Sequence, residues 1–302
     1  MGDNDDNEGY LMKSYNTAVY TTDRWQGFKH RAGDIFICTP AKCGTTWTQT
    51  IVTNLIFPNG DFPAPVMELS PWIEMKMRPA DEMHAALEAQ THRRVMKSHT
   101  PADGIPWFDD ARYVFVCRDG RDAFMSMVNH MDRMIFTDAL NEQAIKDGIP
   151  PMPNFEGDVH AFFEHWLGSS DEQFFKLANS YWERKDQSNL LLVHFNDLKK
   201  DLGGQMRRIA GFLDIEIPQA IWPDVVSRCM FENMRENEAM VGDMSFGFKG
   251  GTKGFLFKGS NGRWRDVLSA EELKRYDEHL NASMPAAAAQ WVTEGGHPTR
   301  SS

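Results

Sequence analysis

Four short apolar runs set the strongest limit on what this chain can fold into: Asp34 to Thr39 (DIFICT), Arg93 to Lys97 (RRVMK), Arg112 to Cys117 (RYVFVC) and Asn189 to Phe195 (NLLLVHF). Most of them are nearly continuous in apolar residues instead of alternating, the pattern of strands buried on both faces. Helical spacing of apolar residues follows at about Thr45 to Phe57, Asp81 to Gln90, Arg121 to Met131, Asn154 to Ser180, Leu202 to Leu213 and Ala270 to Leu280. Strands interleaved with helices predict an α/β fold, a single domain with a central parallel sheet and helices on both faces. No repeat or low-complexity linker divides the 302 residues. A flexible acidic tail is expected over 1–15, one domain over 16–302, and a mobile Gly-rich functional loop at about 237–262.

Composition narrows the partners. A net charge of -11 argues against nucleic acid, since a phosphate backbone needs a basic surface. Much of the excess acid lies in the opening run Asp3, Asp5, Asp6 and Glu8, so local basic clusters remain free to hold a small anion. The cysteines Cys38, Cys43, Cys117 and Cys229 form no Cys-x-x-Cys pair or Cys/His ligand pattern, which predicts free thiols, no structural zinc and a reducing compartment. No stretch approaches the ~18 apolar residues of a membrane span, and the N-terminus has no basic-then-apolar leader pattern, so the cytoplasm is the expected location.

In an open α/β sheet, ligands sit beyond the carboxyl ends of the strands. After the first run comes Thr39-Pro-Ala-Lys42-Cys43-Gly44-Thr45-Thr46-Trp47, a short turn entering a helix. Free N–H groups and the helix dipole favour an anion there, Gly44 allows close backbone approach, and Lys42 adds a full charge. Lys42 precedes Gly44 and no earlier Gly is in place, so this is not a Walker A loop. After the third run, Arg118-Asp119-Gly120-Arg121 offers a guanidinium fork suited to phosphate at Arg118, while Arg121 reads equally well as a surface ion pair. The second run ends in Lys97-Ser98-His99-Thr100-Pro101, which places an imidazole at the sheet edge where it could take a proton from a hydroxyl. Phe257-Lys258-Gly259-Ser260-Asn261-Gly262-Arg263-Trp264-Arg265 reads either as a phosphate-covering loop or as a solvated basic turn.

Taken in order, TPAKCGTTW, KSHTP, RDGRDAFMS and KGSNGRWR resemble the successive signatures of the cytosolic-type sulfotransferase family, which uses 3′-phosphoadenosine 5′-phosphosulfate (PAPS), in its bacterial branch, over about residues 33–275. The resemblance implies a P-loop-kinase-like sulfotransferase fold and transfer of a sulfuryl group from PAPS to a hydroxyl, without a metal. It implies that Lys42, Cys43, Gly44, Thr45 and Thr46 hold the 5′-phosphosulfate. Arg118, Ser126, Lys258 and Gly259 would hold the 3′-phosphate, and Trp47 and Phe231 would sandwich the adenine. His99 is then the catalytic base for in-line attack, Lys42 neutralises the leaving oxygen, and Lys97 steadies the sulfuryl oxygens.

Departures from the family pattern fall on donor contacts: Phe195 stands for a Tyr, Cys229 for a Thr, Phe257 for an Arg and Arg263 for an acidic residue, with Arg263 or Arg265 a partial substitute. The segments expected around the acceptor, near Trp72 to Arg78, Trp107, Met131 to Phe136 and Phe246 to Phe257, predict an apolar cavity for a lipid, glycolipid, steroid-like or phenolic alcohol. A kinase-like phosphoryl transferase and a non-catalytic nucleotide-binding protein are the competing readings. The Lys-Thr-Val-Glu-type dimerisation patch of animal members is not evident, which leaves the oligomeric state open.

Overall fold

The computed structural model describes residues 12–153, 155–170 and 174–298. Four parallel strands, β1 (Ile35–Cys38), β2 (Val95–Ser98), β3 (Arg112–Cys117) and β4 (Leu190–His194), form one sheet in the order β2-β1-β3-β4. All four coincide with the apolar runs of the sequence. Three start one or two residues later than those runs, and at the first two of these Asp34 and Arg94 pair as side chains: the Arg94 guanidinium donates to Asp34 in a fully buried pair at 2.5 and 2.8 Å.

Alternate strand residues feed two different cores. Phe36, Met96, Tyr113, Phe115, Leu190 and Leu192 pack on an aromatic side under the helices Gly120–Arg133, Val159–Ser170, Lys176–Trp182, Ala270–Ser283 and Ala286–Glu294. Ile35, Ile37, Val95, Val114, Val116, Leu191 and Val193 pack on a β-branched side under the helices Thr45–Ile56, Leu202–Phe212 and Trp222–Arg228. Burial on both faces explains why the runs lack alternation. The chain moves from β1 outward to β2, then returns across β1 to β3, so the carboxyl ends of β1 and β3 flank the point where strand order reverses and a crevice opens.

Several boundaries differ from expectation. The anticipated long helix from Asn154 to Ser180 is two helices, with Asn154 and residues 171–173 outside the described residues. The Gly-rich stretch 237–262 contains short helices at Glu238–Val241, a single turn too short to leave a periodic pattern, and at Gly251–Phe255, where two glycines lower helix propensity. The acidic residues of the opening run also lie outside the described residues. Tyr15, placed in the tail from sequence, is instead packed: it is buried and donates through its hydroxyl to Asp103 at 2.8 Å. All four cysteines are free and buried.

Candidate functional site

The turn after β1 is built to present backbone and charge to one point. Lys42 takes a left-handed conformation (φ 68°), uncommon for a residue with a side chain, and Gly44 follows at φ 101°. A Cβ at Gly44 would stand 2.9 Å from the Phe195 ring, so the turn lies directly on that ring. The helix Thr45–Ile56 begins with no side-chain cap, leaving its first N–H groups for a ligand. Thr45 and Thr39 share a hydrogen bond at 2.6 Å, and Thr46 lines the cavity above.

That cavity, of about 1280 Å³, opens beyond the sheet ends and brings together nearly every site residue named from sequence: Lys42, Gly44, Thr45, Thr46, Trp47, Lys97, His99, Arg118, Ser126, Phe195, Phe231, Phe257, Lys258 and Gly259. Cys43 is the exception. Its thiol is fully buried beneath the turn within the aromatic core, which leaves the backbone as the part of Cys43 that could meet a ligand. Cys229 is likewise buried, and its contribution is a carbonyl that accepts from the Trp47 indole at 2.7 Å. Trp107 stacks on Tyr113 at 3.8 Å and belongs to the core, not to the cavity. Arg121 pairs with Asp119 at 2.7 Å and lies over Trp264, the ion-pair reading of that residue.

Cations crowd the floor of the cavity. Burial together with the charges of Lys97 and Arg118 pushes the Lys42 ammonium down to about 7. Burial pushes Lys97 down to about 8, against the pull of the Glu74 carboxylate. Burial also lowers Arg118, which is 4 % exposed. Three positive groups held in a low-dielectric pocket repel one another, and an anion placed among them relieves that repulsion. Arg118 stacks on Phe195 at 4.3 Å and donates to the Ser260 carbonyl at 2.9 Å and to Asn261 at 2.5 Å, which ties the Lys258–Asn261 loop to the end of β3. Arg263 lines the cavity beside Ser126 and donates to the Met125 carbonyl at 3.2 Å, whereas Arg265 folds back over Trp264. Of the two arginines, only Arg263 is in place to meet a phosphate.

The sites fit an adenosine 3′-phosphate 5′-phosphosulfate. The Gly44 turn with its uncapped helix start would hold one anionic group, Arg118, Ser126, Arg263 and Lys258 would hold another, and the Trp47 and Phe231 rings line the same cavity. The ring of Phe231 lies against Gly259, where a Cβ would approach to 3.0 Å.

His99 is held in one tautomer. Its Nδ1 lies 2.8 Å from the Thr39 carbonyl, which can only accept, so Nδ1 carries the proton and Nε2 keeps its lone pair. Burial, then the charge of Lys97, drives its pKa down to about 3 in the donor-free protein, which keeps the imidazole neutral with the Nε2 lone pair free. The Trp72 indole stands edge-on to His99 at 4.8 Å and lies under the Lys97 ammonium at 5.2 Å. Glu74 fixes that indole by accepting from it at 2.7 Å, and also accepts from Trp25 at 3.1 Å and Ser98 at 2.6 Å.

The sequence reading missed Glu74, His130 and Lys199. Glu74 is brought beside β2 by a parallel bridge between Trp72 and Lys97 that no local pattern announces. His130 lies one turn beyond Ser126 on the same helix, so helical spacing from a named site residue would have found it. Lys199 donates to the Gly259 carbonyl at 2.8 Å and lines the cavity.

Residues 32–288 match the sulfotransferase domain family. The chain belongs to the sulfotransferase family. This sulfotransferase is 30% identical over 309 residues to a glycolipid sulfotransferase of Mycobacterium tuberculosis, a match that covers 93% of this chain and 94% of the relative. It is 25% identical over 294 residues to human sulfotransferase 1C2, covering 91% and 92%. Its fold is that of retinol dehydratase solved with androsterone and inactive cofactor PAP, with a TM-score of 0.70 at 18% identity over 96% of this chain and 92% of that one. No helix among the described residues is long and apolar enough to cross a membrane.

Proposed function

We propose that this sulfotransferase moves the sulfuryl group of PAPS onto the hydroxyl of an amphiphilic lipid, with His99 as the base. The observation that carries the reading is the division of one cavity into two chemistries: Lys42, Lys97, Arg118 and His99 cluster at the sheet ends, while the remainder is walled by Met, Phe, Trp and Pro side chains such as Met75, Met131, Met152, Phe162, Phe248 and Phe255. The donor supplies an activated sulfuryl group and two anionic ends. The backbone at Gly44 and the Lys42 ammonium hold the 5′ end, Arg118 with Ser126, Arg263, Lys258 and Gly259 hold the 3′-phosphate, and Trp47 with Phe231 flank the adenine. Thr45 and Thr46 complete the 5′ cradle.

Transfer by displacement asks the protein for position and charge compensation. His99 takes the acceptor's proton at Nε2 while its Nδ1–H stays on Thr39, so the imidazolium that forms remains oriented. Lys97 meets the sulfuryl oxygens, and Lys42 meets the charge released on the leaving oxygen. The Met77 and Phe246 side chains, 42% and 63% exposed, line the cavity mouth and extend its apolar wall to the surface, where an amphiphile's tail would lie. The M. tuberculosis relative, named for glycolipids, agrees with that acceptor class. The test is sulfation from labelled PAPS of a panel holding a glycolipid, a long-chain alcohol, a sterol and a simple phenol, with His99→Ala as control. Preference for the lipid members sustains the reading, and preference for the phenol overturns the acceptor.

A further inference from the structure

His130 is a second imidazole that reaches the Lys42 end of the cation cluster. It projects from the helix Gly120–Arg133 with its Nδ1 3.0 Å from the Lys42 ammonium. Two rings fix its plane, Phe248 at 4.7 Å and Phe255 at 5.9 Å, and Phe255 also carries the Lys42 ammonium over its face at 4.9 Å. With an anion in the cradle Lys42 is an ammonium and offers only hydrogens, so His130 Nδ1 must accept. The imidazole proton then sits on Nε2. Among the described residues Nε2 has no hydrogen-bond partner, and His130 borders the cavity between Met127 and Met131.

We propose that the Nε2–H of His130 is a recognition group for a second oxygen on the acceptor, so that this site takes a lipid whose head carries a polyol, such as a sugar, and discriminates against a lipid with a single hydroxyl. The inference rests on the reading of this cavity as a PAPS and lipid-alcohol site. The physical ground is the cost of an unmet donor. A single-hydroxyl lipid gives its one oxygen to His99 and covers Nε2–H with hydrocarbon, whereas a polyol offers a neighbouring oxygen to satisfy it. The two nitrogens would do separate work, Nδ1 meeting Lys42 on the donor side and Nε2–H left for the acceptor, which makes them separable by substitution. In His130→Gln the amide nitrogen stands near the Nε2 position, and in His130→Asn the amide oxygen stands near the Nδ1 position.

The experiment is calorimetric titration of the protein saturated with adenosine 3′,5′-bisphosphate (PAP), using an alkyl glucoside and the alkanol of the same chain length below their aggregation limits. The wild type is expected to bind the glucoside about ten-fold or more tightly than the alkanol, the scale of one hydrogen bond lost in an apolar wall. His130→Gln keeps that preference. His130→Asn and His130→Phe lose it while alkanol affinity holds or improves. Equal affinities in the wild type, no glucoside binding, or a preference that persists in His130→Phe would each overturn the inference. Failure to bind PAP at the first step would instead overturn the donor reading beneath it.

Discussion

The two halves of the cavity are built in opposite ways. The charged groups of the donor half come from three short segments that each follow a strand or enter a helix, at Thr39–Trp47, Lys97–His99 and Arg118–Ser126, and from the loop Phe257–Arg263, with Phe195, Lys199 and Phe231 packed beside them. Its groups are few, charged and tied down by hydrogen bonds to Thr39, Ser260 and Asn261. The acceptor half draws side chains from many stretches, from Asn16–Tyr20 through Met131–Phe136 and Ile149–Pro153 to Met244–Leu256, and nearly all are apolar. Charge geometry is set once by the sheet, whereas apolar shape is an average over many adaptable side chains, methionines above all. The donor half should therefore be intolerant of single changes and the acceptor half tolerant.

The sharpest break falls on chemistry. His99→Ala removes the imidazole placed at the β2 end and is expected to lower turnover by about 10²- to 10⁴-fold, while PAP affinity measured by calorimetry stays within about two-fold. A similar loss of PAP binding would show that His99 acts on the fold or the donor instead. Next comes the cradle. Gly44→Ala forces a side chain into left-handed backbone and into the Phe195 ring, and should weaken PAP binding and lower thermal stability by roughly 1–3 kcal/mol. Ala at Met131, in the acceptor wall, is expected to leave PAP binding unchanged and to alter only acceptor affinity.

Proton linkage separates the halves without any mutation. In the donor-free protein the Lys42 and Lys97 ammonium groups titrate at about 7 and about 8, below the 10.5 of an exposed lysine. Both folded values are depressed, so the unfolded chain binds more protons from about pH 7 to 10.5 and stability rises with pH across that window. An anion in the cradle favours the charged forms. PAP binding at pH 8 should take up protons, visible as a dependence of binding heat on the buffer's ionisation enthalpy, and Lys42→Met should reduce the uptake. An acceptor analogue should show no such dependence. The smallest effect is at the cavity mouth, where Phe246→Ser is expected to raise KM for a long-chain acceptor by a few-fold through lost apolar contact, with turnover on a short-chain acceptor unchanged.

The same contrast explains what could be read from the amino-acid order. The sheet was legible because strands buried on two faces leave continuous apolar runs, and the donor groups were legible because a strand end, a Lys, a Gly and a helix start are neighbours in sequence. The acceptor wall was legible only as a composition of Met and Phe. Trp107 carried the same signal as Trp72, yet stacking on Tyr113 places it in the core. Glu74 and His130 were missed because their roles arise from contacts across elements, with the Trp72 indole and with Lys42. For Cys43 the sequence shows a place in the phosphate turn but not that its thiol is buried beneath it.

The central claim is that the cation cluster is a binding site for a nucleotide bearing both a 5′ and a 3′ anionic group, and calorimetric titration with PAP beside 5′-AMP and ATP tests it directly. Tight binding of PAP, weaker binding of 5′-AMP, and loss of that difference in Arg118→Ala are the predicted results, with Arg118 accounting for about ten-fold or more through its charged hydrogen bonds. ATP bound as well as or better than PAP, or an Arg118→Ala protein that still prefers PAP, would contradict it.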